Sequence, residues 1–358
     1  MNRAGLLFTL VCIIADLGVP PGLAADPLDR LFEQTRVNKE NVRVEFPVAA
    51  SVPLVDAHNH LNADMTCENL VADMDRAGVT SMVLMPRHYS KPSDGGRATD
   101  EQALDCDRRF PGRFIPFIGG QRDEMGPLRR TWRDPQERHH LLWGMEEKLK
   151  TGRYRGLGEF ILVHHAYSVK VSGETGGEVR IAADEPLMIA IAGLGARYRV
   201  PVLFHAEAEP EVITQVHRLF KAAPNTRFIW AHNCGRGSAS QIRVFLETYP
   251  NLTCDLGHMF NGPRTHGGYG TYWPRKTPWI HLVMDENGSV VPDMKALFEA
   301  FPGRFLIGAD NAHTPVKKWY GYHMAIFRVM LAQLSPPAAR RIAHENARAL
   351  FAKPGAAR

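Results

Sequence analysis

The stretch SVPLVDAHNHL, residues 51–61, ends a short apolar run in two histidines one residue apart. In an extended strand successive side chains alternate between faces, so His58 and His60 share one face and can point together into the mouth of a barrel. Such a pair alone is a weak signal, because alternating histidines serve a core or a surface equally well. The residues around the pair are more telling. A doubly wound open sheet ordinarily places a glycine-rich phosphate turn after its first strand, and residues 56–64, DAHNHLNAD, contain no glycine.

Outward from this stretch the same kind of segment recurs. Counting 53–58, β-rich runs lie at 80–85, 113–119, 155–161, 200–206, 226–232, 252–257 and 304–310. Helical candidates lie at 67–78, 100–110, 137–150, 186–198, 210–222, 238–249, 293–301 and 320–334. Eight strands each followed by a helix predict an α/β fold, the (β/α)8 TIM barrel. A closing helix is predicted over 335–351, with Ser335 as its cap and proline in its first turn. Residues 26–42 read as an amphipathic helix on an N-terminal extension. The segment 260–292, between the seventh strand and its helix, is long for a loop and carries Tyr269, Tyr272, Trp273 and Trp279. It is expected to be a lid over a substrate, with an oligomer contact as the alternative.

Residues 1–5 carry a positive charge, 6–15 are apolar, and small residues precede a cleavage point near Ala24 or Ala25. This is the pattern of a secretory signal over 1–25, followed by a single barrel domain over 26–358. Ten apolar residues are too few to span a bilayer core of about 30 Å, so no stable membrane insertion is expected after cleavage. The expected location is secreted or periplasmic. A chain of 358 residues with 44% hydrophobic and 23% charged residues has ample core for a globular protein. Its formal charge of +5 is spread without a basic run, which argues against a nucleic-acid partner. Cys67, Cys106, Cys234 and Cys254 are scattered without CxxC spacing, which gives little support for a disulfide framework, although one bridged pair is compatible with it.

In a barrel the carboxyl ends of the strands converge on one face, where reactive residues are recruited. The predicted strand ends carry His58 and His60, Glu159, His205, His232 and Asp310. Imidazoles with carboxylates suit zinc, and also manganese or iron, better than calcium or magnesium. A water on such an ion becomes an effective nucleophile, and Asp310 beside it is placed to act as general base. Taken singly, each residue has an ordinary reading: Glu159 paired with an arginine, His205 and His232 satisfied in a core, Asp310 capping a helix. Their joint order along the chain is what favours a metal site. Arg87 and His88 after the second strand, Arg236 after the sixth and His258 after the seventh are expected to face the substrate. Glu207 is expected to orient a ligand, and the pairs His139-His140 and His164-His165 to be exposed.

The ordered set DAHNH, GEF, FHAE, WAHNCG, GAD and the closing HENARALF resembles the amidohydrolase superfamily, in its branch of TIM-barrel metal-dependent hydrolases that also holds decarboxylases and lactonases. The resemblance runs from about residue 55 to 351. It implies that His58, His60 and Asp310 bind one divalent ion, that His205 and His232 bind a second or complete the first, and that Asp310 moves the proton. Members of the family carry a carboxylated lysine, a glutamate or no ligand at the position of Glu159, and a glutamate there permits a bridged pair of ions. The expectation is an exported metal-dependent hydrolase acting on an ester, lactone or amide bond of a small molecule, with one or two ions, zinc foremost. The alternatives are a metal-dependent decarboxylase of an unsaturated or aromatic acid, a lactonase without metal, and a non-catalytic solute-binding barrel. Assembly into a homo-oligomer is compatible with the sequence.

Overall fold

The computed structural model describes residues 52–92, 95–122, 130–168, 175–259, 283–284, 289–311 and 320–352. The predicted signal, the helix at 26–42 and the aromatic part of the 260–292 loop lie outside them. Eight parallel strands form one sheet: β1 (Leu54–Asp56), β2 (Val79–Pro86), β3 (Phe114–Gly119), β4 (Gly156–His164), β5 (Val202–Ala206), β6 (Phe228–Trp230), β7 (Leu252–Asp255) and β8 (Phe305–Leu306). Each pairs with the next in sequence. Just past the strand ends, Ala57 N donates to Ile307 O at 2.9 Å and Asp310 N to His58 O at 2.7 Å, and these bonds join β1 to β8. The result is the α/β TIM barrel that the strand count predicts.

The helices between the strands are α1 (Cys67–Ala77), α2 (Asp100–Arg109), α3 (Pro135–Lys150), α4 (Pro186–Tyr198), α5 (Pro210–Ala222), α6 (Ala239–Thr248), α7 (Pro292–Ala300) and α8 (Tyr320–Ala332). Their starts are written in the sequence. Thr99 with Gln102 and Ser238 with Gln241 form reciprocal capping boxes at α2 and α6, and proline opens α3, α4, α5 and α7. Inside the ring, Val55, Val83, Phe117, Leu203, Ile229 and Leu306 pack with Ala347 and Phe351 of the tail. Asn346 Nδ2 donates to Pro302 O (2.7 Å) and Phe305 O (2.8 Å), which anchors that tail at the amino end of β8. The tail is not one continuous α-helix: a π-helical stretch, Arg341–Glu345, separates Pro336–Arg340 from Asn346–Leu350.

Two further expectations are corrected. The four cysteines that follow the predicted signal, which itself holds Cys12, form two disulfides, Cys67–Cys106 and Cys234–Cys254, with Cα separations of 5.3 and 5.0 Å. Sequence spacing hides them because the barrel sets consecutive units side by side, so α1 meets α2 and the end of β6 meets β7. His164 and His165 are buried, because β4 runs on to His164 and the antiparallel strand Val179–Arg180 closes over it. His139 and His140 are exposed, as expected. Among the described residues no helix is long and apolar enough to cross a membrane.

Candidate metal centre

The DAHNH segment leaves β1 held by its own side chains. Asp56 Oδ1 accepts from His58 N (3.2 Å) and Ala309 N (3.0 Å), and Oδ2 accepts from Asn59 Nδ2 (3.1 Å). Asn59 Oδ1 accepts from His60 N at 2.9 Å. Both histidines are thereby fixed at the β1–β8 seam. Space there is tight: a Cβ on Gly308 would stand 2.5 Å from the Cβ of His58, so the position admits only glycine.

Four imidazoles and two carboxylates converge on this seam. His58 Nε2 and His60 Nε2 face each other at 3.3 Å, and lie 3.4 and 3.1 Å from Asp310 Oδ1. Glu159 sits between two groups. Its Oε2 is 3.5 Å from His60 Nε2, while Oε1 is 3.2 Å from His205 Nδ1 and 3.5 Å from His232 Nε2. His205 Nδ1 and His232 Nε2 are 2.8 Å apart. The donor atoms thus form two sets that share one carboxylate: His58, His60, Glu159 and Asp310, then Glu159, His205 and His232, each within 4.8 Å.

Three of the four imidazoles have their far nitrogen committed to an acceptor. His58 Nδ1 lies 3.2 Å from both oxygens of Asp255, His205 Nε2 lies 2.8 Å from Glu207 Oε1, and His232 Nδ1 lies 2.7 Å from Gly257 O. A proton held on each of these nitrogens turns a lone pair toward the cluster, the arrangement that fixes tautomer and ring plane in metal sites. Burial, with the Arg236 charge beside it, pushes His232 down to about 4, so it is neutral at physiological pH. Burial also opposes charge on His58, but Asp255, Asp310 and Glu159 around it outweigh that and draw its pKa up. That excess of negative charge is what a divalent cation would balance.

His232 reaches this position through an unusual backbone. Residues 232–236 all have positive φ, from 52° to 72°. Four of the five are not glycine, and each such residue costs roughly 1–2 kcal/mol. Gly235 is required within the turn, since a Cβ would fall 2.3 Å from Ala206 O. The turn is held by Ala208 N donating to Gly235 O at 2.8 Å, by the buried Arg236–Glu207 ion pair, and by the Cys234–Cys254 bridge.

Glu159 has its own support. Gln121 Nε2 donates to Glu159 Oε2 at 2.7 Å, and Gln121 Oε1 accepts from Tyr89 OH (2.9 Å) and Arg87 Nε (3.2 Å). Arg87, expected at the substrate, is buried and reaches the cluster through Gln121. His88 is turned to a separate network, with Nε2 3.0 Å from Asp100 Oδ1. Arg236 is buried against Glu207. His258 is half-buried past β7, its ring 6.4 Å from that of His323. Sequence reasoning named neither Gln121 nor Asp255. Asp255 closes β7 and Gln121 lies two residues past β3, so both stand near the carboxyl ends of strands, but the side chains they support are set by the fold.

The network around Asp100 gives the end of β3 its shape. Asp100 accepts from Gly119 N (2.9 Å), Arg122 Nη2 (2.8 Å) and Lys148 Nζ (2.7 Å). Burial pushes its carboxyl up, but the His88 hydrogen bond and the charges of Arg122 and Lys148 prevail and hold it well below the ordinary range. A carboxylate more acidic in the folded than in the unfolded chain stabilises above its unfolded value of about 3.9, and that contribution is lost as pH falls below it. Asp100→Asn is therefore expected to lower Tm at pH 7 and to flatten its decline in acid. Parallel Tm–pH curves for the two proteins would contradict this.

The donor set fits a metal. Atoms about 2.1 Å from a common ion stand roughly 3–3.5 Å apart in tetrahedral or octahedral coordination, and the facing donor atoms here are 2.8 to 3.8 Å apart, close to that spacing. Of the residues singled out in the sequence, the structure brings together His58, His60, Glu159, His205, His232 and Asp310, with Glu207 against His205. It sets Arg87 and Arg236 behind them as supports, and His88 apart.

Comparison with known proteins extends the fold assignment. An uncharacterized TIM-barrel protein from Bordetella bronchiseptica aligns over 84% of this chain and 99% of its own, with 15% identity and a TM-score of 0.54. An amidohydrolase from Burkholderia multivorans with bound zinc covers 84% and 99% at 14% identity and a TM-score of 0.47. The 4-oxalomesaconate hydratase of Rhodopseudomonas palustris covers 84% and 96% at 14% identity and a TM-score of 0.48. At 15% identity the likeness to the Bordetella protein concerns the fold alone. No curated protein matches the chain. The amidohydrolase family model matches residues 146–353, more than half of the sequence and four of the six clustered side chains, and the protein belongs to that family.

Proposed function

We propose that the protein is an exported metal-dependent hydrolase that cleaves an ester, lactone or amide-type bond of a small molecule. The observation that carries this reading is the position of Glu159, which lies within reach of both donor sets and can serve two ions at once. His58, His60, Glu159 and Asp310 would hold one ion, and Glu159, His205 and His232 the other. Zinc suits these donors best, with manganese or iron next. A divalent ion bound here would supply Lewis acidity, polarising the acceptor oxygen and bringing the pKa of a water from 15.7 to about 7.

The remaining work falls to the chain. The Asp310 side chain is 17% exposed, and none of the other five in the cluster exceeds the 5% of His205. It is the carboxylate that solvent and substrate reach. Its Oδ1 faces His58 and His60, which leaves Oδ2 to take the proton of the attacking water and pass it to the leaving group. Gln121 keeps Glu159 turned inward, and Asp255 and Glu207 hold two of the imidazoles in register. Two disulfides support export, since such bridges persist in oxidising compartments.

The test is metal content per chain, measured on protein purified without chelators, together with turnover of an ester, lactone and amide panel. Two equivalents are expected, with turnover lost on chelation and restored by zinc or manganese. One equivalent would favour the mononuclear decarboxylase. No binding on adding either metal would sink the assignment.

A further inference from the structure

We infer that the Cys234–Cys254 disulfide is a positioning element for the His205–His232 half of the cluster, distinct in role from the Cys67–Cys106 bridge. This rests on the reading of the cluster as a metal centre. Cys234 stands two residues after His232, inside the left-handed turn 232–236. Cys254 stands one residue before Asp255, which holds His58, and three before Gly257, which accepts from His232 Nδ1 at 2.7 Å. One covalent bond therefore ties the turn that presents His232 to the strand that fixes its ring.

The turn needs such a tie. Left-handed backbone is disfavoured for side-chain-bearing residues, and a run of them persists only where the surroundings over-determine it. The other restraints on the turn are non-covalent. They include the Ala208–Gly235 backbone bond, the His232–Gly257 bond and the Arg236–Glu207 pair, and the last of these also orients His205. With the bridge removed, the turn can relax toward ordinary φ values and carry His232 Nε2 away from His205 Nδ1. The first donor set is carried on β1, β4 and β8, with Asp255 of β7 behind His58, and β7 stays paired on both sides with β6 and β8, so this set is expected to keep its geometry. The Cys67–Cys106 bridge joins the start of α1 to α2, outside the ring, and touches neither set.

The experiment compares three full-length proteins loaded with zinc: the natural chain, Cys234→Ala/Cys254→Val and Cys67→Ser/Cys106→Ser. The Ala/Val pair keeps the site apolar, because both cysteines are buried. Equivalents bound and zinc affinity are read by chelator competition, with far-ultraviolet circular dichroism as the fold check. The expected result is two tight equivalents in the natural chain and in the Cys67/Cys106 variant. The Ala/Val variant should keep one and bind the other about 10–100-fold more weakly. Equal affinity for both equivalents in the Ala/Val variant overturns the inference, as does an equal loss in the Cys67/Cys106 variant. If the Ala/Val variant does not fold, Cys234→Ser/Cys254→Ser takes its place. Failure of both where the Cys67/Cys106 variant folds also overturns the inference, since the bridge then serves the whole fold. Absence of zinc from the natural chain refutes the metal reading itself, a different outcome from either.

Discussion

Asp310→Asn is expected to lower kcat on any hydrolysed substrate by about 10²–10⁴-fold, the range for loss of a general acid–base group. The amide keeps the size of the carboxylate and one oxygen toward His58 and His60, but it cannot accept a proton. Burial pushes the Asp310 carboxyl up, and the charge of His58 and the His60 hydrogen bond outweigh this, so it is held below the ordinary range and is ionised at neutral pH. Its φ of 50° places it in the left-handed region, which asparagine tolerates better than other residues. The substitution should therefore leave the backbone intact. The measurement is kcat beside metal equivalents at saturating metal. Activity within about tenfold of the natural chain, with metal bound, would remove Asp310 from the proton-transfer role.

The barrel is legible in the sequence because its signals are local. Each strand is a short apolar run, and capping boxes such as Thr99–Gln102 and Ser238–Gln241 mark where helices start. The six clustered residues are legible for a related reason, since a barrel brings the carboxyl ends of all strands to one face whatever their separation along the chain. Period-two alternation predicts that His58 and His60 come together, and they do so past the end of β1, where the Asp56 and Asn59 side chains hold the segment.

Other features depend on distances that no local pattern encodes. Gln121 reads as a polar residue after two glycines, and only the fold puts its amide against Glu159. Asp255 reads as the last residue of an apolar strand until the barrel brings it to His58, 197 residues away. Arg87 follows a strand end, which predicts a place at the substrate, yet its guanidinium folds back on Gln121. The left-handed turn at 232–236 leaves a single trace within its own residues, Gly235. The cysteines mislead because their spacing is set by neighbouring βα units and not by a local motif.

Arg236→Met is expected to destabilise the protein by about 3–5 kcal/mol, the range for breaking a buried ion pair from one side. Arg236 and Glu207 are 2% and 0% exposed. Burial pushes the Glu207 carboxyl up, but the Arg236 charge and the His205 hydrogen bond prevail and keep it well below the ordinary carboxylate range. Methionine fills the volume of the arginine stem but leaves Glu207 charged and buried, with His205 as its remaining polar contact among the described residues. Its Oε2 already has no hydrogen-bond partner there. The unfolding midpoint should fall by on the order of 10 °C. Adding Glu207→Gln should recover much of the loss, because the neutral amide can still accept from His205 Nε2 through its oxygen. The cycle of two single variants and the double isolates the pair from the packing of each member. A double variant less stable than Arg236→Met alone would mean that Glu207 is held by groups other than Arg236. A coupling near zero would place the strength of the turn in its backbone bonds and the disulfide.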